Sequence, residues 1–103
     1  MSRLLDDEEI TRQLSDLPGW TRDGDAFVAT IEAPDFPAAI RVVDAVAEVA
    51  EQLNHHPDID IRWRTTKWRL STHDAGGITQ LDVELAHRIG ECAATERATF
   101  TTK

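Results

Sequence analysis

Three of the four histidines in this chain fall between positions 55 and 73, and two carboxylates flank them. Glu51 precedes the adjacent pair His55 and His56, and Asp82 follows His73. Histidine has an unperturbed pKa of about 6.5, so one imidazole can accept a proton while another donates one near neutral pH. Histidines with neighbouring carboxylates therefore predict proton-transfer chemistry on a small molecule.

The adjacent pair, His55 and His56, lies in a predicted loop between a long helix and Pro57, and catalytic groups concentrate in such loops. One alternative is a pair of exposed polar residues without a chemical role. A zinc site is another, since three histidines can hold a catalytic zinc ion. Consecutive histidines often point apart, and the sequence contains no CxxC or HExxH pattern. We therefore expect no metal at this site.

Both flanking carboxylates have a structural interpretation beside the catalytic one. Glu51 lies one helical turn before His55, where it would orient the His55 ring or remain a solvated acid at the helix end. The segment from Thr79 to Asp82 fits a capping box, with Thr79 as the N-cap and Asp82 reaching back to its backbone. As a cap alone, Asp82 would contribute about 0.5–2 kcal/mol of stability and little to a reaction rate.

The types and spacing of these residues resemble the signature of the pterin-4a-carbinolamine dehydratases. Two site-forming stretches of that family are similar to residues 54–57 and 70–77 of this chain. The remaining signature positions are Glu51, Trp63 and Asp82. Weaker similarity reaches back to Gly19 and Trp20, so the resemblance covers most of the chain.

The resemblance implies an enzyme that dehydrates 4a-hydroxytetrahydropterin to quinonoid dihydropterin and water, and so recycles the pterin cofactor of aromatic amino-acid hydroxylases. It implies that His55, His56 and His73 are catalytic and that Glu51 and Asp82 support them, with no cofactor or metal. The sequence does not say which histidine is the acid and which the base. Residues expected to bind the pterin are Asn54, Pro57, Ser71, Thr72 and Asp74.

The resemblance also allows a role without catalysis. In animals, members of this family bind the dimerisation helix of a transcription factor, and related chains have become assembly factors. A non-enzymatic pterin-binding or protein-binding helper, acting as a dimerisation or assembly cofactor, is therefore the alternative. The chain keeps each signature histidine and carboxylate, which favours the enzyme.

Composition narrows the class of protein. The chain has 103 residues, of which 41% are hydrophobic and 29% charged, and we expect one globular domain over residues 1–103. A net charge of −8 argues against a nucleic-acid partner, because phosphate binding needs a basic surface. The chain lacks an apolar run of about 18 residues, so we expect no membrane span. A single cysteine, Cys92, suits the cytoplasm.

The pattern of apolar residues predicts an α+β fold. We expect helices over residues 4–16, 36–53 and 79 to about 97, with strands around a turn at Asp23-Gly24 and over 58–64 and 67–72. The order α-β-β-α-β-β-α then gives a four-stranded antiparallel sheet covered on one face by helices. The family resemblance implies the same fold.

Two further expectations concern apolar surfaces. Trp63 and Trp68 fall on inward-facing strand positions and are predicted to be core residues. The 36–53 helix carries two apolar stripes, more than one sheet face of a small domain needs. We therefore expect a homodimer or homotetramer, formed through the stripe that comprises Val42, Val46, Val49 and Leu53.

Overall fold

The computed structural model describes residues 3–101 and contains three helices, α1 (Asp7–Leu14), α2 (Phe36–Leu53) and α3 (Gln80–Thr95). Each helix begins at a side chain that accepts a backbone N–H of the first turn. These N-caps are Asp6, Asp35 and Thr79, and they satisfy donors that have no partner within the helix. The predicted cap Thr79 is confirmed, while α1 and α3 are shorter than predicted.

The strands form one antiparallel sheet in the order β1-β2-β4-β3. Their bounds are β1 (Thr21–Asp23), β2 (Ala26–Glu32), β3 (Asp58–Arg62), β4 (Thr65–Leu70) and β5 (Thr99–Thr101). The short strand β5 pairs with the end of β2, on the edge that β1 also occupies. The predicted fold class and element order are confirmed, and β5 adds a fifth strand to the four that were expected.

The core lies between the helices and one face of the sheet. On β2, Phe27 and Ala29 are buried beside Leu70 and Trp68 of β4, as the register of the two strands requires. The helices supply buried alanine, valine, leucine and isoleucine side chains against this face. The predicted burial of Trp68 is therefore confirmed.

The prediction for Trp63 is wrong. Strand β3 ends at Arg62 and β4 begins at Thr65, so the turn is Trp63-Arg64 and not Thr65-Thr66. Trp63 has a φ of 55°, and 69% of its surface is exposed. The charged residues that alternate along β3 continue into the turn, so alternation alone did not locate the end of the strand. The Arg64 guanidinium lies 4.8 Å from the centre of the Trp63 ring, a cation–π contact.

The apolar stripe of α2 that was assigned to another subunit lies in the core. Val42, Val46 and Val49 are buried, and Leu53 packs against the same cluster. Among the apolar side chains of α2 that remain wholly or partly exposed, four lie on one side of the helix: Phe36, Ile40, Val43 and Ala47. Both stripes were visible in the sequence, but periodicity does not say which one faces the sheet.

Over residues 3–101, none of the helices combines the length and the apolar character needed to cross a bilayer.

Gly19 links the start of the sheet to its last strand, because its backbone passes directly under the Phe100 ring. Its φ is 89°, and a Cβ at this position would lie 2.5 Å from Phe100 Cγ. We expect Gly19→Ala to lower the free energy of unfolding by about 2–4 kcal/mol, through the left-handed backbone and the steric conflict together. Urea denaturation measures this loss.

Gly24 provides the matched control for this substitution. It has a φ of 61°, with no atom within 4 Å of the position that a Cβ would take. Gly24→Ala should therefore cost only about 1–2 kcal/mol, the backbone component alone. Equal losses of stability in the two variants would show that the Phe100 ring moves aside and that its contact with Gly19 does not restrict substitution there.

Candidate active site

The loop after α2 directs the two adjacent histidines. Asn54 ends the helix in a left-handed conformation with φ 51°, which asparagine tolerates better than most residues. The chain then turns back, and the His55 N–H donates to the Ala50 carbonyl at 3.0 Å. As a result His55 is buried, while His56 is exposed. Asn54 thus has a clear role in shaping the loop.

His55 forms a buried pair with Asp82 at the start of α3. Its Nε2 lies 2.6 Å from Asp82 Oδ1, the imidazole is 10% exposed, and the carboxylate is 0% exposed. An ionised carboxylate can only accept hydrogen bonds, so Nε2 of His55 is assigned the hydrogen. Within residues 3–101, no group forms a hydrogen bond with the other ring nitrogen, Nδ1.

Asp82 is also the cap that the sequence predicted. Its Oδ2 accepts the Thr79 N–H at 2.9 Å, which completes the capping box of α3. The same oxygen accepts the Thr72 hydroxyl at 2.8 Å. The carboxylate therefore receives three hydrogen bonds, from the imidazole, the hydroxyl and the backbone, which offset the cost of burying it. From the sequence, a cap and a supporting role in catalysis were alternatives for Asp82; in the structure the capping side chain also contacts a histidine.

Glu51 contacts His56, whereas the sequence placed it beside His55. Glu51 Oε2 lies 2.6 Å from His56 Nε2, and these side chains are 77% and 55% exposed. The helical spacing that would bring Glu51 to His55 does not apply, because α2 ends at Leu53. The adjacent histidines thus have separate carboxylate partners, one pair buried and one in water.

His73 and Asp74 lie in a tight loop between β4 and α3. The loop is closed by the Thr72 N–H, which donates to the Gly77 carbonyl at 2.8 Å, and by the Gly76 N–H, which donates to the Thr72 carbonyl at 2.9 Å. His73 and Asp74 are exposed at its outer turn. Since consecutive Cα atoms are about 3.8 Å apart, the backbone of His73 is close to the buried network that contains Thr72.

The hydroxyls of Ser71 and Thr72 already have partners within the protein. Ser71 donates to the Asp25 carbonyl at 2.9 Å, and it is partly exposed. Thr72 is 3% exposed, and its hydroxyl lies 2.7 Å from that of Thr79 as well as 2.8 Å from Asp82. The contact between Thr72 and Thr79 was not among the expectations from the sequence. The alternation of Trp68 and Leu70 on β4 continues to Thr72, two residues beyond the strand, and could have indicated that Thr72 points inward.

In the part of the chain that the structure describes, no three histidine, cysteine, aspartate or glutamate side chains are grouped so that they could hold a metal ion. The arrangement instead supplies two imidazole–carboxylate pairs and a third histidine. Such pairs orient an imidazole and stabilise its protonated form, as proton transfer requires.

A cavity of about 690 Å³ lies away from the histidines. It follows the open face of the sheet and is lined by residues such as Val28, Thr30, Asp60, Lys67 and Arg69. None of the histidines lines it. Its volume is sufficient for a small molecule, but its lining offers no histidine for proton transfer, so we place the candidate active site at the histidines.

Comparison with known proteins identifies the family of this chain. The family model described as pterin 4 alpha carbinolamine dehydratase matches residues 3–92. The chain belongs to this family. It is 58% identical over 92 residues to a Nocardia farcinica protein named "Putative pterin-4-alpha-carbinolamine dehydratase", covering 89% of this chain and 97% of that one. The predicted family is thereby confirmed.

Two solved structures resemble the fold. A Brucella melitensis protein described as a transcriptional coactivator/pterin dehydratase superposes with a TM-score of 0.86, at 28% identity, over 88% of this chain and 99% of its own. A pterin dehydratase-like protein identified as a RuBisCO assembly factor gives a TM-score of 0.60 at 16% identity, over 72% of this chain and 86% of its own. The second likeness shows a shared fold only.

The dual role of Asp82 predicts an unusually large effect for a cap substitution. Asp82→Ala leaves three donors without an acceptor, those of His55, Thr72 and the Thr79 backbone. We expect a loss of about 2–5 kcal/mol in the free energy of unfolding, because each unpaired buried group costs about 1–3 kcal/mol. Urea denaturation monitored by tryptophan fluorescence measures it.

Asp35 is the matched control, since its side chain caps α2 through the Ala38 N–H at 2.8 Å and lies at the surface. Asp35→Ala should cost only about 0.5–2 kcal/mol, as caps usually do. If both variants lose the same stability, the contacts of Asp82 with His55 and Thr72 contribute nothing to the fold.

Proposed function

We propose that this protein catalyses the dehydration of 4a-hydroxytetrahydropterin to quinonoid dihydropterin and water. In this reaction the N5–H bond breaks, its electron pair forms the N5=C4a double bond, and the C4a–O bond breaks. The 4a-hydroxyl takes up a proton and leaves as water. One group must therefore accept a proton from N5 while another supplies one to oxygen, and the overall proton count is unchanged.

The observation that carries this proposal is the buried His55–Asp82 pair in a chain of the dehydratase family. A neutral imidazole held by a carboxylate suits the acceptance of the N5 proton, because the carboxylate stabilises the imidazolium that forms. His56 and His73 are exposed nearby and are the candidates for the proton donor. Glu51 would support His56 in its protonated form.

The pterin would be bound by the two loops that carry the histidines. Asn54 and Pro57 belong to one loop, and Ser71 and Asp74 flank the other. Their backbone groups and the Asp74 carboxylate suit the amide-like edge of a pterin, which presents both donors and acceptors. The reaction needs no metal, nucleotide or flavin. We place it in the cytoplasm, because the single cysteine, Cys92, cannot form a disulfide within the chain.

A second candidate function is a protein-binding helper. The Brucella melitensis relative is described as a transcriptional coactivator as well as a pterin dehydratase. Such a role does not require the histidine–carboxylate pairs. A protein that fails to accelerate dehydration of the pterin would favour this second function.

The decisive experiment follows dehydration of chemically generated 4a-hydroxytetrahydropterin by stopped-flow absorbance, with and without the protein. Replacing His55, His56 or His73 by Ala should each lower kcat/KM by about ten- to ten-thousand-fold, the usual contribution of a general acid or base. The effects should be non-additive, because residues that act as a unit do not contribute independently.

His87 supplies the control for these variants, since it is exposed on α3 and outside the signature. His87→Ala should keep the wild-type rate. Wild-type rates in all three of the other variants would contradict catalysis by these histidines.

We further propose that the chain, as one domain, assembles into a homodimer or homotetramer. The exposed apolar side of α2, which comprises Phe36, Ile40, Val43 and Ala47, supports this assembly because its residues recur at helical spacing on one side. Sedimentation at micromolar concentration should then give two or four times the 11.5 kDa mass of the chain.

Two substitutions on α2 locate the interface. Ala47→Glu places a charge within the exposed apolar side and should reduce the sedimenting mass. Ala45→Glu places the same charge at another exposed position of α2 and should leave the mass unchanged. A wild-type mass near that of one chain would contradict the assembly.

A further inference from the structure

We propose that Thr72 and Thr79 are positioning residues that fix the Asp82 carboxylate and, through it, hold His55 as the Nε2–H tautomer. The nitrogen left to accept a proton is then Nδ1 of His55. This inference rests on the proposed function, because it states which nitrogen of which histidine removes the N5 proton. It also changes the expected role of Thr72, from binding the pterin to orienting a catalytic group.

The hydrogen bonds of the two threonines run in one direction. The Leu81 N–H donates to Thr79 Oγ1 at 3.2 Å, and Thr79 Oγ1 and Thr72 Oγ1 are 2.7 Å apart. Thr72 Oγ1 is 2.8 Å from Asp82 Oδ2. An ionised carboxylate can only accept, so the single hydrogen of Thr72 points to Asp82, and Thr72 must accept the hydrogen of Thr79. Each hydroxyl thus has one defined orientation.

This series of hydrogen bonds determines which oxygen of Asp82 accepts the hydrogen of the imidazole. Oδ2 already accepts from Thr72 and from the Thr79 backbone, which leaves Oδ1 for His55 at 2.6 Å. Two donors on Oδ2 prevent rotation of the carboxylate about its own axis. Because Oδ1 accepts, Nε2 of His55 keeps its hydrogen and Nδ1 keeps its lone pair.

Burial makes the arrangement stable against solvent. Thr79 and Asp82 are 0% exposed and Thr72 is 3% exposed, so bulk water does not compete for these hydrogen bonds. The imidazole is 10% exposed and is the member of the network that reaches the surface. A proton taken up at Nδ1 makes His55 an imidazolium, and Asp82 then faces a positive charge without having to move.

Thr72→Val tests the proposal, since valine matches the shape of threonine and lacks the hydroxyl. We expect kcat for dehydration to fall by about 10–100-fold, the size of effect that follows when a metal-bound histidine loses the group that orients it. KM should change little, because Thr72 would not touch the pterin. The pH profile of kcat should also shift. Thr72→Ser retains the hydroxyl and should restore the wild-type rate and profile.

Thr66→Val is the matched control. Thr66 is also a buried threonine of this sheet, 2% exposed, whose hydroxyl accepts from the Trp68 indole at 2.8 Å, and it is not part of the site. This variant should lose stability and keep kcat, KM and the pH profile. A loss of kcat as large as that of Thr72→Val would show that the effect is one of general destabilisation.

Nitrogen NMR of the His55 ring supplies a readout that does not depend on turnover. In the wild type at high pH we expect the hydrogen on Nε2, and in Thr72→Val a mixture of the two tautomers. A wild-type ring with its hydrogen on Nδ1, or an unchanged rate and tautomer in Thr72→Val, would overturn the inference. An inactive wild type that shows the Nε2–H tautomer and the change in Thr72→Val would instead reject the proposed function and retain the positioning role.

Discussion

The buried carboxylate of Asp82 is the constraint on which the site depends. It caps α3 through the Thr79 backbone, receives the Thr72 hydroxyl from the end of β4, and holds His55 from the end of α2. A buried charge without partners would be very costly, so these three groups have to converge for the fold to be stable. The position of the His55 imidazole therefore follows from a requirement of the fold itself.

The same constraint separates the two adjacent histidines. Asn54 reverses the chain in a left-handed conformation, so His55 enters the interior and meets Asp82. His56 then points to solvent, where Glu51 meets it. Two adjacent residues of the same type thus have different surroundings, because His55 is buried and His56 is exposed to solvent. Such a division suits a reaction that needs both a proton acceptor and a proton donor.

Much of the fold followed from the sequence, because local signals marked it. The caps Asp35 and Thr79 and the break after Leu53 fixed the helices that frame the site. The turn at Trp63 was missed, since the alternation of charged and apolar residues continues through it. Strand β5 was also missed, because three residues with no turn signal beside them carry almost no pattern of their own.

The contacts of the candidate site were only partly predictable from the sequence. Spacing grouped the histidines and carboxylates, and the structure pairs His55 with Asp82 and His56 with Glu51. The sequence assigned Glu51 to His55 by helical geometry, but the helix ends two residues before His55. The hydrogen bond between Thr72 and Thr79 could not be predicted, because it joins a residue just after β4 to the N-cap of α3 across a loop.

Because Asp82 both caps α3 and contacts His55, a substitution of Asp82 changes two sets of contacts at once. A residue that serves only the fold changes stability and leaves the surviving folded molecules fully active. Substitution of a residue that serves only the chemistry lowers the activity and leaves the stability unchanged. Asp82 makes both sets of contacts with different atoms of one carboxylate, Oδ2 toward the cap and Oδ1 toward His55. Under the proposed function its loss lowers both the stability and the reaction rate, and neither measurement alone separates the roles. Thr72 touches only the Oδ2 side of this carboxylate and leaves the cap of α3 intact, so its hydroxyl is the place where orientation of His55 can be varied while the helix cap is kept.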